Sequence, residues 1–156
     1  MWWTRISYVP KYIIKRIIPK DAVVNLDMNG DGKADAVGVK YVNVISPLEI
    51  PANISKQELL SQFVSVNIDS EIYTDFTKLR LWFDNEVFSF GDIDKLLGKT
   101  LPVGGFVIII VDKPGGISAG MHKFGMKTQY NNQENYNEVE REVSADVKTL
   151  SDIVGK

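Results

Sequence analysis

The chain contains no cysteine and a single histidine, His122, among its 156 residues. The first absence excludes a disulfide framework, a thiolate metal site and a thiol nucleophile; the second excludes a multi-histidine zinc or iron centre. Long apolar runs are also missing, none approaching the ~18 residues that a membrane-spanning helix needs. The opening Met1-Trp2-Trp3-Thr4-Arg5 lacks the apolar stretch and small-residue cleavage site of a secretory leader. The sequence therefore predicts a chain with no export signal and no transmembrane helix. Gly104-Gly105 and Lys113-Pro114-Gly115-Gly116 do not follow the G-x-x-x-x-G-K-[ST] order of a phosphate loop and read as turns.

Hydrophobic content of 44% and charged content of 24% suit one globular domain able to bury a core without crosslinks. The net charge of −2 is unevenly spread. Residues 1–20 carry Arg5, Lys11, Lys15, Arg16 and Lys20 without an acid, so +5 sits there and −7 on the rest. With Trp2, Trp3, Tyr8 and Tyr12 this segment reads as a basic aromatic arm. It suits contact with a neighbouring subunit, contact with a membrane surface through residues 1–18, or folding onto its own body. The acidic remainder makes nucleic acid an unlikely partner.

Ile13, Ile14, Ile17 and Ile18 fall at helical spacing between Pro10 and Pro19, so a short helix is expected that needs a surface to lie on. Residues 22–26 and 36–45 read as two strands. In the second, a phase slip implies either a bulge near Tyr41 or burial on both faces. Ser55 and Glu58 form a capping box for a helix carrying Leu59, Leu60 and Phe63. Residues 63–69 alternate as a half-buried strand, and 79–83 with 87–90 flank a tight hairpin turn at Asp84-Asn85-Glu86. Asp92 is expected to cap a short helix that stops at Gly98. Phe106-Val107-Ile108-Ile109-Ile110-Val111 is expected to be the central strand. Residues 115–135 read as a long loop or an irregular edge strand around Phe124–Tyr130. Tyr136, Val139, Val143, Val147, Leu150 and Val154 predict a terminal amphipathic helix, although 139–149 also alternate like a strand. The expected organisation is an arm (1–20), a β domain (21–135) and an amphipathic C-terminal segment (136–156). The fold class is mainly β: a single-domain β-sandwich or barrel, jelly-roll-like, with two short helices and the C-terminal helix.

Asp27-Met28-Asn29-Gly30-Asp31-Gly32-Lys33-Ala34-Asp35 is the stretch that specifies a chemistry. Oxygen-bearing side chains stand at relative positions 1, 3, 5 and 9, with a glycine at 6. A hard cation such as Ca²⁺ collects six to eight oxygens, and a tight loop supplies several only where glycine permits the turn. Asp27, Asn29, Asp31 and Asp35 are the candidate side-chain ligands, and Lys33 would give its carbonyl. The rival reading is a metal-free turn built on Asn-Gly and Asp-Gly. The run resembles the D-x-N-x-D-G-x-x-D calcium loops of dockerins and of FG-GAP/VCBS repeats. It departs from an EF-hand, because Gly38 occupies the place of the bidentate glutamate and the flanks are strand-like. The resemblance implies a structural Ca²⁺ between two strands.

No catalytic constellation is legible. His122 reads as a surface residue, and Asp69, Glu71, Asp75 and Asp84 are scattered acids from which a hydrolase pair would have to be drawn. In size, strand content and arm, the chain resembles small single jelly-roll viral capsid proteins. That resemblance implies a non-enzymatic virion subunit, found in the virion or cytoplasm, whose partners are copies of itself or other structural subunits. The alternative is a calcium-dependent carbohydrate- or surface-binding module with Trp82 or Tyr73 as an aromatic platform.

Overall fold

The computed structural model describes residues 11–130 and 133–154. Two sheets pack face to face as a β-sandwich. The six-stranded sheet contains β1 (Val23–Leu26), β2 (Ala36–Val42), β6 (Leu79–Phe83), β7 (Glu86–Ser89), β9 (Phe106–Asp112) and β12 (Val147–Lys148), in the order β12-β1-β2-β9-β6-β7. The four-stranded sheet contains β4 (Phe63–Ile68), β5 (Glu71–Tyr73), β10 (Gly120–Tyr130) and β11 (Gln133–Val143), in the order β11-β10-β4-β5. A two-stranded ribbon, β3 (Leu48–Glu49) with β8 (Thr100–Leu101), stands apart. All pairings are antiparallel except β1 with β12. The hairpins β1–β2, β4–β5, β6–β7 and β10–β11 each stay within one sheet. "Jelly-roll-like" thus describes the pair of packed sheets and not a strand-by-strand crossover.

The two inner faces meet through Val37, Val39, Tyr41, Leu81, Ile109 and Val111 on one side and Val66, Ile68, Phe124, Met126 and Val139 on the other. Tyr41 meets Phe124 edge to face at 6.0 Å. Where α3 covers it, the outer face of the six-stranded sheet is apolar as well. Leu26, Ala36, Ile108 and Ile110 are buried there beneath Leu150, Ile153 and Val154 of α3 (Leu150–Val154). The phase slip in β2 is therefore burial on both faces: its register with β9 runs unbroken from Ala36↔Asp112 to Val42↔Phe106.

The isoleucine helix forms as α1 (Lys11–Ile17), with Ile14, Ile17 and Ile18 in the core. Arg141 of β11 donates to the carbonyls of Ile18 at 2.9 Å and Lys15 at 3.2 Å, satisfying groups that a helix end leaves without partners. Residues 11–18 thus belong to the body and are not a free arm; the call on residues 1–10 lies outside the described residues. α2 (Lys56–Ser61) carries the complete Ser55/Glu58 capping box. Asp84 and Asn85 both take positive φ, as a two-residue hairpin turn requires.

Three local expectations are corrected. Residues 120–130 are not a loop or an edge: β10 is a central strand between β11 and β4, irregular at a register shift between Lys127 and Thr128, with Phe124, Met126 and Thr128 turned inward. Its Gly125 is needed because Tyr136 of the partner strand crosses over it, and a Cβ there would come within 2.5 Å of the Tyr136 hydroxyl. The terminal helix does not begin at Tyr136. Residues 133–143 form β11, with Val139 and Val143 buried and Glu134, Glu138, Glu140 and Glu142 exposed, so the period of two prevails and only α3 is helical. Asp92 does not cap a helix but sits at a kink (φ −110°, ψ 21°) inside a 3-10 stretch, Phe90–Leu96.

Candidate metal centre

The acidic stretch is the turn of the β1–β2 hairpin, and its strands fix its ends: Asp35 N–H donates to the Leu26 carbonyl at 2.9 Å, and Asp27 N–H to Lys148 at 2.9 Å. Between these anchors the side chains organise the backbone. The two Asp27 oxygens accept from Gly30 and Gly32 N–H, each at 2.7 Å. Both glycines have φ above +80°, which lets the chain wrap around Asp27. Asn29 accepts from Asp31 N–H at 3.2 Å, and Asp31 from Lys33 N–H at 2.9 Å. Asp35 accepts from Met28 at 2.9 Å and Asn29 at 3.1 Å.

The result brings Asp27, Asp31 and Asp35 together, with carboxylate oxygens within 4.8 Å of one another. The Gly32 N–H is the strongest influence on Asp27; with Gly30 and its neighbours it outweighs partial burial and holds this carboxyl below the ordinary range. Asp27 keeps 9% of its surface, whereas Asn29, Asp31 and Lys33 are exposed. A divalent cation fits this donor set. The side chains offer hard oxygens, the ligand type that Ca²⁺ collects. The turn is already shaped by its own amides, so a cation would have little ordering to impose.

A second cluster was not visible in the sequence, because Asp69 lies 53 residues from His122, across a sheet contact from the Ser118–His122 pair. His122 Nδ1 lies 2.6 Å from Asp69, and Nε2 lies 2.7 Å from the Ser118 carbonyl and 3.3 Å from the Ser118 hydroxyl. The trio has the members of a serine–histidine–aspartate site, but the geometry is that of a clasp. Both ring nitrogens face acceptors, an arrangement that favours the doubly protonated ring, and an imidazolium has no lone pair with which to take a proton from Ser118. Burial disfavours the His122 cation but is outweighed by the Asp69 hydrogen bond and the Ser118 carbonyl, so its pKa is raised; the His122 hydrogen bond, first, and the Lys123 amide lower that of Asp69.

The other scattered acids have separate structural partners. Glu71 accepts from Tyr73 at 2.6 Å and pairs with Lys113 at 3.0 Å. Asp75 caps Thr77, and Asp84 forms the β6–β7 turn. Tyr73 is engaged by Glu71 and packs against the core. Trp82 stacks on Phe106 at 5.2 Å, with Lys40 over the Phe106 ring.

No protein-family model matches the chain, and no curated protein matches its sequence. No helix among the described residues is long and apolar enough to cross a membrane.

Proposed function

We propose that this chain is a non-enzymatic structural subunit in which Ca²⁺, held by Asp27, Asn29, Asp31, the Lys33 carbonyl and Asp35, braces the β1–β2 hairpin. The observation that carries the reading is the convergence of three carboxylates on a turn whose own amides have fixed its shape. The ion would neutralise repulsion among those carboxylates and tie β1 to β2 at the edge where β12 joins. Assembly is supported by surface chemistry. Ile72, Met121 and Tyr136 are exposed on the outer face of the four-stranded sheet, and an exposed row of β11 glutamates contrasts with exposed Lys15 and Arg16 on α1. Opposite charges on these two neighbouring elements give copies a means of pairing in register. A virion shell is the assembly we assign, with the protein in the virion or the cytoplasm. Sedimentation velocity in Ca²⁺ and in EDTA tests this: large symmetric species are expected with Ca²⁺, and a monomer under both conditions contradicts it.

One observation favours a second reading, a carbohydrate-binding module. Trp82 and Phe106 line an open cleft with Asp84, Lys99 and Thr100, which combines aromatic faces with polar groups. The cleft lies beside the Val42 end of β2 and the acidic turn at the Ala36 end, roughly 20 Å away along the strand. Calcium would thus act on sugar binding through the fold and not as a ligand of the sugar. Glycan binding by a monomer, weakened by Trp82→Ala, is the outcome that would select this reading.

A further inference from the structure

We infer that the space between the two sheets, at the end opposite the acidic turn, is a binding site for a neutral hydrocarbon-bodied small molecule such as a single acyl chain. A cavity of about 310 Å³ opens there. Leu81 and Ile109 come from the six-stranded sheet, Phe63 and Met126 from the four-stranded sheet, and Leu48 and Leu101 from the β3–β8 ribbon. Protein interiors pack as densely as organic crystals and keep few voids of this size. Ligand sites, in contrast, are apolar concavities from about 300 Å³ upward.

The lining selects the occupant. No charged side chain contributes to it among the described residues. Asn43 has its amide spent: the NH₂ donates to the carbonyls of Ser46 at 2.7 Å and Leu101 at 2.9 Å, and Oδ1 accepts from Ile45 N–H at 3.3 Å. Buried Tyr41, and Ser46 at the lip, are the other polar side chains of the lining, too few to replace the water that a carboxylate or a sugar would lose on entering, so its entry is a net cost. A hydrocarbon loses nothing and gains contact with both sheets. The lip is formed by exposed Ile45 and Ser46 and half-buried Val44 and Leu48, so a polar head group can remain in water while its chain lies inside.

The test uses the full chain and the uncharged fluorophore N-phenyl-1-naphthylamine. Saturable binding with enhanced, blue-shifted emission is expected, displaced by a neutral fatty-acid methyl ester. Val107→Trp and Val44→Phe, which place bulk in the cavity from two different elements, should each weaken binding at least about tenfold, while circular dichroism shows the fold kept. Absence of saturable binding overturns the inference, as does unchanged affinity in both folded variants. Probe-driven dissociation of a dimer also overturns it, in favour of a second copy as the occupant.

Discussion

The centre of the six-stranded sheet, β9 with β2, is dry on both faces, whereas the four-stranded sheet is wet on one. Ile108 and Ile110 of β9 are buried under α3, while Ile109 and Val111 of the same strand face the sandwich interior. In β10, Phe124 and Met126 are buried, but the alternate Met121, Lys123 and Lys127 meet solvent wholly or in part. A strand buried on both faces reads as an unbroken apolar run, and a half-wet strand as alternation. The same difference governs how each sheet should respond to change.

The largest contrast is expected between Ile110→Ala and Lys123→Ala. The first empties a fully buried site and should cost about 2–5 kcal/mol, the second within about 0.5 kcal/mol, both read by urea unfolding. Equal costs would mean that α3 does not cover the sheet. Ile153→Ala removes part of that cover from a half-buried position and should cost about 1–2 kcal/mol. On the wet sheet, Gly125→Ala should cost about 1 kcal/mol by displacing Tyr136, and the penalty should shrink when Tyr136→Ala is present; additivity in that double-mutant cycle would show that the ring does not cross the glycine.

The smallest effect belongs to the Asp69–His122 clasp, both members partly in solvent, at under about 1 kcal/mol. His122 has a raised folded pKa, so its contribution is fully present below the ordinary value near 6.5 and is lost as pH rises through the folded value. Asp69 has a lowered one, so its part is present above the ordinary value near 3.9 and is lost as pH falls through the folded value. His122→Gln should therefore destabilise at pH 5.5 and matter little at pH 8.5. A penalty that is the same at both pH values would contradict the clasp.

Legibility in the sequence followed the same division. The central strand 106–111, the Ser55/Glu58 cap and the Asp84-Asn85 turn were readable because each rests on neighbours in sequence. β10 was hidden because Gly125 and the polar outward residues mimic a loop, and the compensation for that glycine is Tyr136, eleven residues away on the paired strand. β11 was masked by valines that fit both periods, and only the exposure of the intervening glutamates decides between them. In the candidate site, the oxygen pattern from Asp27 to Asp35 was readable, but the role of each acid was not. Asp27 and Asp35 each anchor two amides of the turn, whereas Asp31 accepts only from Lys33. The Ser118–His122–Asp69 contact needs the β4–β10 register, which no local pattern encodes.

That difference among the three aspartates sets the most direct test. Asp31→Asn keeps an acceptor for the Lys33 N–H but removes a charge from the cluster, so the turn survives and the ion is held less tightly. Isothermal titration of the full chain with Ca²⁺ should show a single saturable site in the natural sequence, and one at least about tenfold weaker in Asp31→Asn. Absence of binding heat in the natural sequence, or an undiminished site in the variant, would contradict the calcium brace.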